Sequence, residues 1–338
     1  KVAISELLYE LIWQPLEPFL EGVETIYYSP DGLLHKVPIN ALPSSQGRFL
    51  GELYNLNRVS NTATINTRIK FPDLDDAVLI GDIIYNYTPK DSIIKNESAA
   101  HSILKSKELL DNDDNKNRNT RSGSWDYLPG TKTEIEYIQS QLPESNILRE
   151  KEASETTFKQ LSGNSPSILH ISTHGFFFPD LKEENNTNSN KDKDGYTLAK
   201  DPMLRSGLIL ANANYAWKNG SNPYEEDDGI LTGLDISNID LRQTDIVILS
   251  ACETGLGDIP SSEGVFGLQR AFKMAGVNTI IMTLWEVPDK ETAEFMKKLY
   301  TKWKATNNPK EAFKHAQNFM MKKYRYQPDK CAAFVLFE

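Results

Sequence analysis

The chain has 338 residues, 39% of them hydrophobic and five of them tryptophan, enough for the core of one elaborated α/β domain or of two lobes. Its 47 acidic side chains outnumber 37 basic ones, and a net charge of −10 speaks against nucleic acid or an anionic membrane surface as a main partner. No apolar run nears the roughly 20 residues of a bilayer span, no charged-then-apolar leader is present, and two cysteines make no disulfide framework. The expectation is a cytoplasmic protein whose thiols stay reduced, and a start at Lys1 rather than Met reads as a piece of something longer.

Leu7, Leu8, Leu11, Ile12 and Leu16 fall close to helical spacing between Ile4 and Leu20, with Pro15 and Pro18 as the stop. Val23 to Tyr28 reads as a strand closed by Pro30-Asp31-Gly32, and Leu33 to Pro43 as an irregular apolar stretch. Ala77 to Ile84 is the first strongly buried strand. The polar region from Asn86 to Arg121 predicts a helix near Ala99 to Leu110 and a disordered tip at 111–120. After that the rhythm is regular. A helix at Thr133 to Leu142, a strand at Asn146 to Leu148 and a helix from Ser154 to Leu161 capped by Ser154 lead to the strand that ends at His174. A polar loop at 181–200, a short strand at Gly207 to Ala211 and a polar excursion at Tyr215 to Asp228 follow. The strand ending at Cys252 comes next. Behind it are a helix at Gly264 to Ala275, a strand at Val277 to Leu284, helices at Lys290 to Lys304 and Pro309 to Lys323, and a last strand at Ala332 to Phe337. Buried strands alternating with helices predict an α/β fold with a mostly parallel sheet and helices on both faces.

Two motifs carry chemistry. Ile168-Leu169-His170-Ile171-Ser172-Thr173-His174-Gly175 and Ile246-Val247-Ile248-Leu249-Ser250-Ala251-Cys252-Glu253-Thr254-Gly255 are each an apolar run that ends at a reactive side chain with glycine close behind. Reactive groups of open α/β sheets sit at the carboxyl ends of strands, so neighbouring strands here would join an imidazole to a thiol. A free thiol has a pKa of about 8.5 and needs such a base to act as a nucleophile. The N–H groups of Gly175 and Cys252 then become the natural oxyanion donors. No third side chain suggests itself to orient the imidazole, which leaves a backbone carbonyl for that role.

Leu128-Pro129-Gly130 with Glu134, the Ser-Thr-His-Gly ending at Gly175, Gly229-Ile230-Leu231-Thr232, the Cys252 motif, Leu284-Trp285 and Ala332-Ala333-Phe334-Val335-Leu336 together resemble the CHAT family. Trp13-Gln14-Pro15-Leu16 and Tyr28-Ser29-Pro30-Asp31-Gly32 extend the resemblance to nearly the whole chain. These are caspase-like cysteine peptidases of clan CD, related to caspases and separase and often fused to tetratricopeptide repeats. The resemblance implies His174 as base and Cys252 as nucleophile, a protein as substrate, a tetratricopeptide region or regulatory protein as a possible partner, and no cofactor or metal. It also implies a lead subdomain over 1–72 and a catalytic core over 73–338, with Leu8, Trp13 and Tyr27 buried between them. Ser250 stands where caspases have glutamine, so their rule for aspartate is not carried over.

By the same resemblance, Ser250, Glu253, Trp285, Glu286 and Asp289 are candidates for the substrate pocket. Acids there would favour Lys or Arg before the scissile bond, with Leu or Met as competitors. Simpler readings stand beside these: Asp289 as a helix N-cap, Glu286 as a solvated edge charge, Glu253 as the start of a turn. His170 shares a strand face with His174 but reads first as a hydrogen-bonded core histidine, and Cys331 as a packed thiol. His35 reads as packing, and His101 and His315 as surface residues. The leading function is a cysteine endopeptidase acting through a thioester, with an idle caspase-like scaffold for protein interaction as the alternative and small-molecule acyl transfer as a third reading.

Overall fold

The structure, a computed structural model of the chain, describes residues 2–66, 72–86, 123–178, 201, 203–219, 227–252, 263–285, 287–325 and 327–338. Among these, strands β3 (Ala77–Ile83), β4 (Asn146–Glu150), β5 (Ile168–Phe177), β6 (Ser206–Ile209), β7 (Ile230–Thr232), β8 (Ile246–Cys252), β9 (Thr279–Thr283) and β10 (Phe334–Phe337) form one eight-stranded sheet. Its main order is β10-β9-β8-β5-β3-β4, while β6 bridges β5 and β7. The pairs β4–β3, β3–β5, β5–β8 and β8–β9 are parallel; β10 closes the edge antiparallel to β9, and β6 runs antiparallel to β5. The expected mostly parallel sheet is present. The helix expected at 99–110, the tip at 111–120 and the loop at 181–200 lie outside the described residues, as does His101.

Alternation along the strands divides the core in two, because successive side chains of a strand point to opposite faces. Leu169, Ile171, Val247, Leu249, Ile280 and Met282 pack on one face, against Phe158, Trp217, Ile236 and Phe272. Ile168, Ile246, Ile248 and Ile281 pack on the other. There they meet Ile135 and Ile138 of α3 (Pro129–Gln141), Phe295, Leu299 and Trp303 of α8 (Asp289–Thr306), and Met320 of α9 (Pro309–Lys323). All ten residues of β5 are buried, as covering on both faces requires.

Between these elements lie α4 (Glu155–Lys159), α5 (Ala213–Asn219), α6 (Gly233–Ser237), α7 (Glu263–Met274) and α10 (Pro328–Cys331). Ser154 caps α4 as expected, its side chain accepting from Thr157 N at 3.2 Å. The excursion expected from Tyr215 onward opens within a helix: α5 places Ala213, Asn214, Ala216 and Trp217 in the core. The short spacing between Gly229 and Ser237 also hides β7 and α6, which are too brief for periodicity to register.

The first 66 residues carry their own small cluster. Helix α1 (Val2–Ile12) stops before Trp13, and Pro15 and Pro18 are accommodated in a 3₁₀ segment, Gln14–Phe19, rather than in one long helix. Tyr9 and Trp13 pack with Ile39, Leu42 and Leu50, the last opening α2 (Leu50–Leu53). Strands β1 (Thr25–Tyr28) and β2 (Asn55–Arg58) pair in parallel beside this cluster. Trp13 is buried and Leu8 half-buried, but Tyr27 is exposed, contrary to expectation: on so short a two-stranded sheet its face of β1 meets no covering layer among the described residues. His35 is half-buried against Arg58, Nη2 lying 2.8 Å from its Nδ1, and the Arg58 guanidinium sits 4.3 Å over the Phe337 ring of β10. Ser60 donates through its backbone N–H and its hydroxyl to the Glu338 carbonyl, both at 2.6 Å.

Phe334 stacks on Phe295 with ring centroids 3.7 Å apart and is fully buried. Truncating it removes a ring from the seam between β10 and α8 with little scope for collapse. We expect Phe334→Ala to lower unfolding free energy by about 3–5 kcal/mol, read from urea melts.

Candidate active site

Strands β5 and β8 pair in unbroken register from Ile168↔Ile246 to His174↔Cys252. The two residues singled out by the sequence are therefore Cα partners at the last register position of this parallel pairing, where neighbouring backbones lie about 4.8 Å apart. The strand expected to end at His174 runs on to Phe177, because beyond His174 it pairs with β6. Ile246 N–H donates to the Ser167 carbonyl at 3.2 Å, which fixes the alternation of the ladder. Carried forward two residues at a time, it turns the N–H of Cys252 toward β5 and the N–H of Gly175 toward β8. Both candidate oxyanion donors thus face the seam between the strands. On the far edge of β5, Phe178 N–H donates to the Arg205 carbonyl at 2.7 Å, in keeping with the same alternation.

The imidazole of His174 is 6% exposed and held on three sides. Trp125 and Tyr85 flank it, with ring centroids 5.0 and 5.1 Å away. Its Nε2 lies 2.7 Å from the carbonyl oxygen of Asp126. A carbonyl can only accept, so Nε2 carries the proton, and in the neutral ring Nδ1 is then the basic nitrogen. The backbone carbonyl expected as orienting group is this one.

A residue that sequence reading missed holds that carbonyl in place. Asn214 of α5, 3% exposed, accepts from Trp125 N–H at 2.7 Å through Oδ1 and donates from Nδ2 to Trp125 O at 2.9 Å and to Asn86 Oδ1 at 2.9 Å. A side-chain amide that closes two bonds on one residue's backbone works as a splint, so Trp125 and Asp126 are fixed relative to the core. An asparagine in a polar stretch looks like loop composition, and nothing in the sequence singles it out.

Beneath His174 lies a polar network. Glu134 of α3 meets His170 Nε2 with Oε1 at 2.8 Å and accepts from Ser250 Oγ on Oε2 at 3.0 Å; His170 Nδ1 contacts the Tyr300 hydroxyl of α8 at 3.0 Å. His170 is fully buried and is the hydrogen-bonded core histidine expected. Burial lifts the Tyr300 hydroxyl well above its usual range, with the nearby Glu134 charge adding to it, so it is a neutral donor or acceptor here.

A cavity of about 110 Å³ opens beside His174, with Ser172, Ser250, Glu134 and Asp289 among its lining residues. Of the pocket candidates, Ser250 and Asp289 are brought there. Asp289 is the first residue of α8, after Pro288 in the cap position, and its side chain rests against Gly130. Trp285 is not at the cavity: its indole N–H donates to the Asp329 carbonyl at 2.9 Å, and the ring packs with the α8–α9 core. Glu253 and Glu286 lie outside the described residues. Cys331 is 1% exposed and burial pushes its thiol up to about 11, the packed thiol expected, while His315 is exposed on α9. Among the described residues, no group of three or more His, Cys, Asp or Glu is placed to hold a metal ion, and no helix is long and apolar enough to cross a membrane.

The model of one family, the CHAT domain, matches residues 2–337. The chain belongs to the CHAT domain family. No curated protein matches the sequence. Among solved structures, one similar chain is the Arg-specific cysteine proteinase gingipain R (RgpB), at 10% identity and a TM-score of 0.43, covering 99% of this chain and 66% of that one. Another is the complex of the pro- and mature domains of RgpB from Porphyromonas gingivalis, at 10% identity and a TM-score of 0.45, covering 99% and 67%. This CHAT chain thus spans about two thirds of the length of either.

Two measurements check the site. Burial lowers the pKa of His174, partly offset by the Asp126 carbonyl and the Asp289 charge. Its ring should titrate with a midpoint below 6.5 by NMR. The sign of the linked stability follows from it. At pH above 6.5 the ring is neutral folded or unfolded; as pH falls below 6.5 the unfolded chain takes the proton first, so stability is lost until the folded midpoint is passed. For Cys331, peptide mapping after iodoacetamide treatment of folded protein at pH 7.5 should find that thiol unmodified, and modified once the chain is unfolded.

Proposed function

We propose that this CHAT chain is a cysteine endopeptidase that cleaves a protein partner through Cys252 and His174. The observation that carries the reading is the register pair His174↔Cys252, the last of the β5–β8 pairing, combined with an imidazole whose Nε2 is already committed to the Asp126 carbonyl. In this reading Nδ1 takes the thiol proton and the thiolate attacks the carbonyl carbon of the scissile peptide. The amide C–N bond breaks as the imidazolium returns the proton to the departing amine, leaving a thioester on Cys252. Water, deprotonated by the same nitrogen, then releases the acid and restores the thiol. The Gly175 and Cys252 N–H groups stabilise the oxyanion, each such donor contributing about 2.7–4 kcal/mol in known cases.

Because both N–H groups face the β5–β8 seam, the two strands must part at their ends for one substrate oxygen to reach both. A preceding tetratricopeptide region or a regulatory protein would act on that opening, raising the rate of an otherwise slow enzyme. We place the working boundary between a lead subdomain over 1–72 and the catalytic core over 73–338, with the protein acting in the cytoplasm. The idle-scaffold reading differs at one point, since it requires no reactivity at Cys252.

A biotinylated peptidyl acyloxymethyl ketone separates the two. The isolated chain should become labelled at Cys252 alone, with labelling lost in Cys252→Ala and cut at least 100-fold in His174→Ala while both variants melt within a few degrees of the parent. An adduct confined to Cys331, or equal labelling in His174→Ala, would sink the dyad.

A further inference from the structure

We propose that the cavity beside His174 is the primary specificity pocket and takes a lysine or arginine side chain, with the Glu134 carboxylate as its floor and Asp289 at its mouth. The proposal rests on the peptidase reading and adds to it the class of substrate. Among the described residues, the twelve that line the cavity include two carboxylic acids and no lysine or arginine. Glu134 is 6% exposed, and its two oxygens bind His170 and Ser250. An ionised carboxylate offers about four lone-pair sites, so this floor still has acceptor capacity. Ser172 adds a second acceptor. It is 1% exposed, lines the cavity, and its hydroxyl has no hydrogen-bond partner among the described residues. Asp289 is exposed at the start of α8, lines the same cavity and makes no hydrogen bond or ion pair among the described residues.

The walls complete the match. Leu128, Val287 and Pro288 supply apolar surface along the cavity, which suits an aliphatic stem with a cationic tip. The alternatives fit worse. A leucine or methionine would cover the walls but desolvate Glu134 and Ser172 without giving either a new partner. An aspartate would bring a third carboxylate beside two. Pockets built around such polar groups reject occupants that leave them unmatched far more strongly than apolar pockets reject a wrong size. The sequence points at acids near Trp285; Glu134, on a helix more than a hundred residues before Cys252, supplies the buried one.

Five acyloxymethyl ketone peptides that differ only in the residue next to the warhead test this: Lys, Arg, Leu, Met and Asp. Labelling of Cys252 should be at least tenfold faster with Lys or Arg than with the other three. In Asp289→Asn, whose site is exposed enough that folding is not at stake, the ratio of Lys to Met labelling should fall severalfold. It should fall further in Glu134→Gln. Fastest labelling with Leu, Met or Asp would overturn the proposal while leaving the peptidase reading intact, as would a Lys to Met ratio unchanged in Asp289→Asn. Labelling of Cys252 by none of the five would overturn both.

Discussion

The pairing of β5 with β8 is the constraint on which the rest of the molecule depends. Seven consecutive Cα partners lock the strands together, and both faces of β5 are covered. A slip of one residue would move Leu169 and Ile171 off the face they share with Phe272 and turn His170 away from Glu134 and Tyr300. Register is thus held by apolar fit on one side and by hydrogen bonding on the other. The relation of His174 to Cys252 follows from that register rather than from any contact of their own.

The polar side of this arrangement is unusual in where it lies. Glu134, His170, Ser250 and Tyr300 come from α3, β5, β8 and α8, so four elements meet in one network. Burying such groups is costly unless each finds a partner, and here each does. A network of this kind tolerates only one relative placement of its four elements. Above it the demands reverse. Ser172 lies two residues beyond His170 on β5, and its buried hydroxyl is unmatched among the described residues. The boundary between matched and unmatched groups falls at the edge of the cavity, where a ligand could complete the pattern.

Much of this was legible in the sequence because long buried strands announce themselves. Ile246-Val247-Ile248-Leu249 and Ile168-Leu169 have no other plausible home than the centre of a parallel sheet, but the glycine after His174 marks no strand end, since β5 runs on to Phe177. Helices with clear periodicity, such as Pro309–Lys323, were placed to the residue. Three short elements carry no such signal: β2, β7 and α6 last five residues or fewer, too few for a period of two or of 3.6 to repeat clearly. The site divides along the same line. His174 stands out because chemistry is rare on an apolar strand, whereas Asn214 and Glu134 work through distance in space, which composition does not encode. Trp285 shows the converse: a conspicuous aromatic at a strand end proved to be tied to Asp329 and the helical core.

The Asp126 carbonyl has a consequence for how this chain can vary. A base oriented by a side-chain carboxylate is lost whenever that one residue changes. Here the acceptor is main chain, and every amino acid at position 126 brings the same oxygen. The constraint has been moved from the residue that makes the bond to Asn214, which holds its neighbour's backbone from both ends. Aspartate offers no amide donor and leucine offers neither group, so position 214 carries a demand on side-chain identity that the hydrogen bond at 126 does not make.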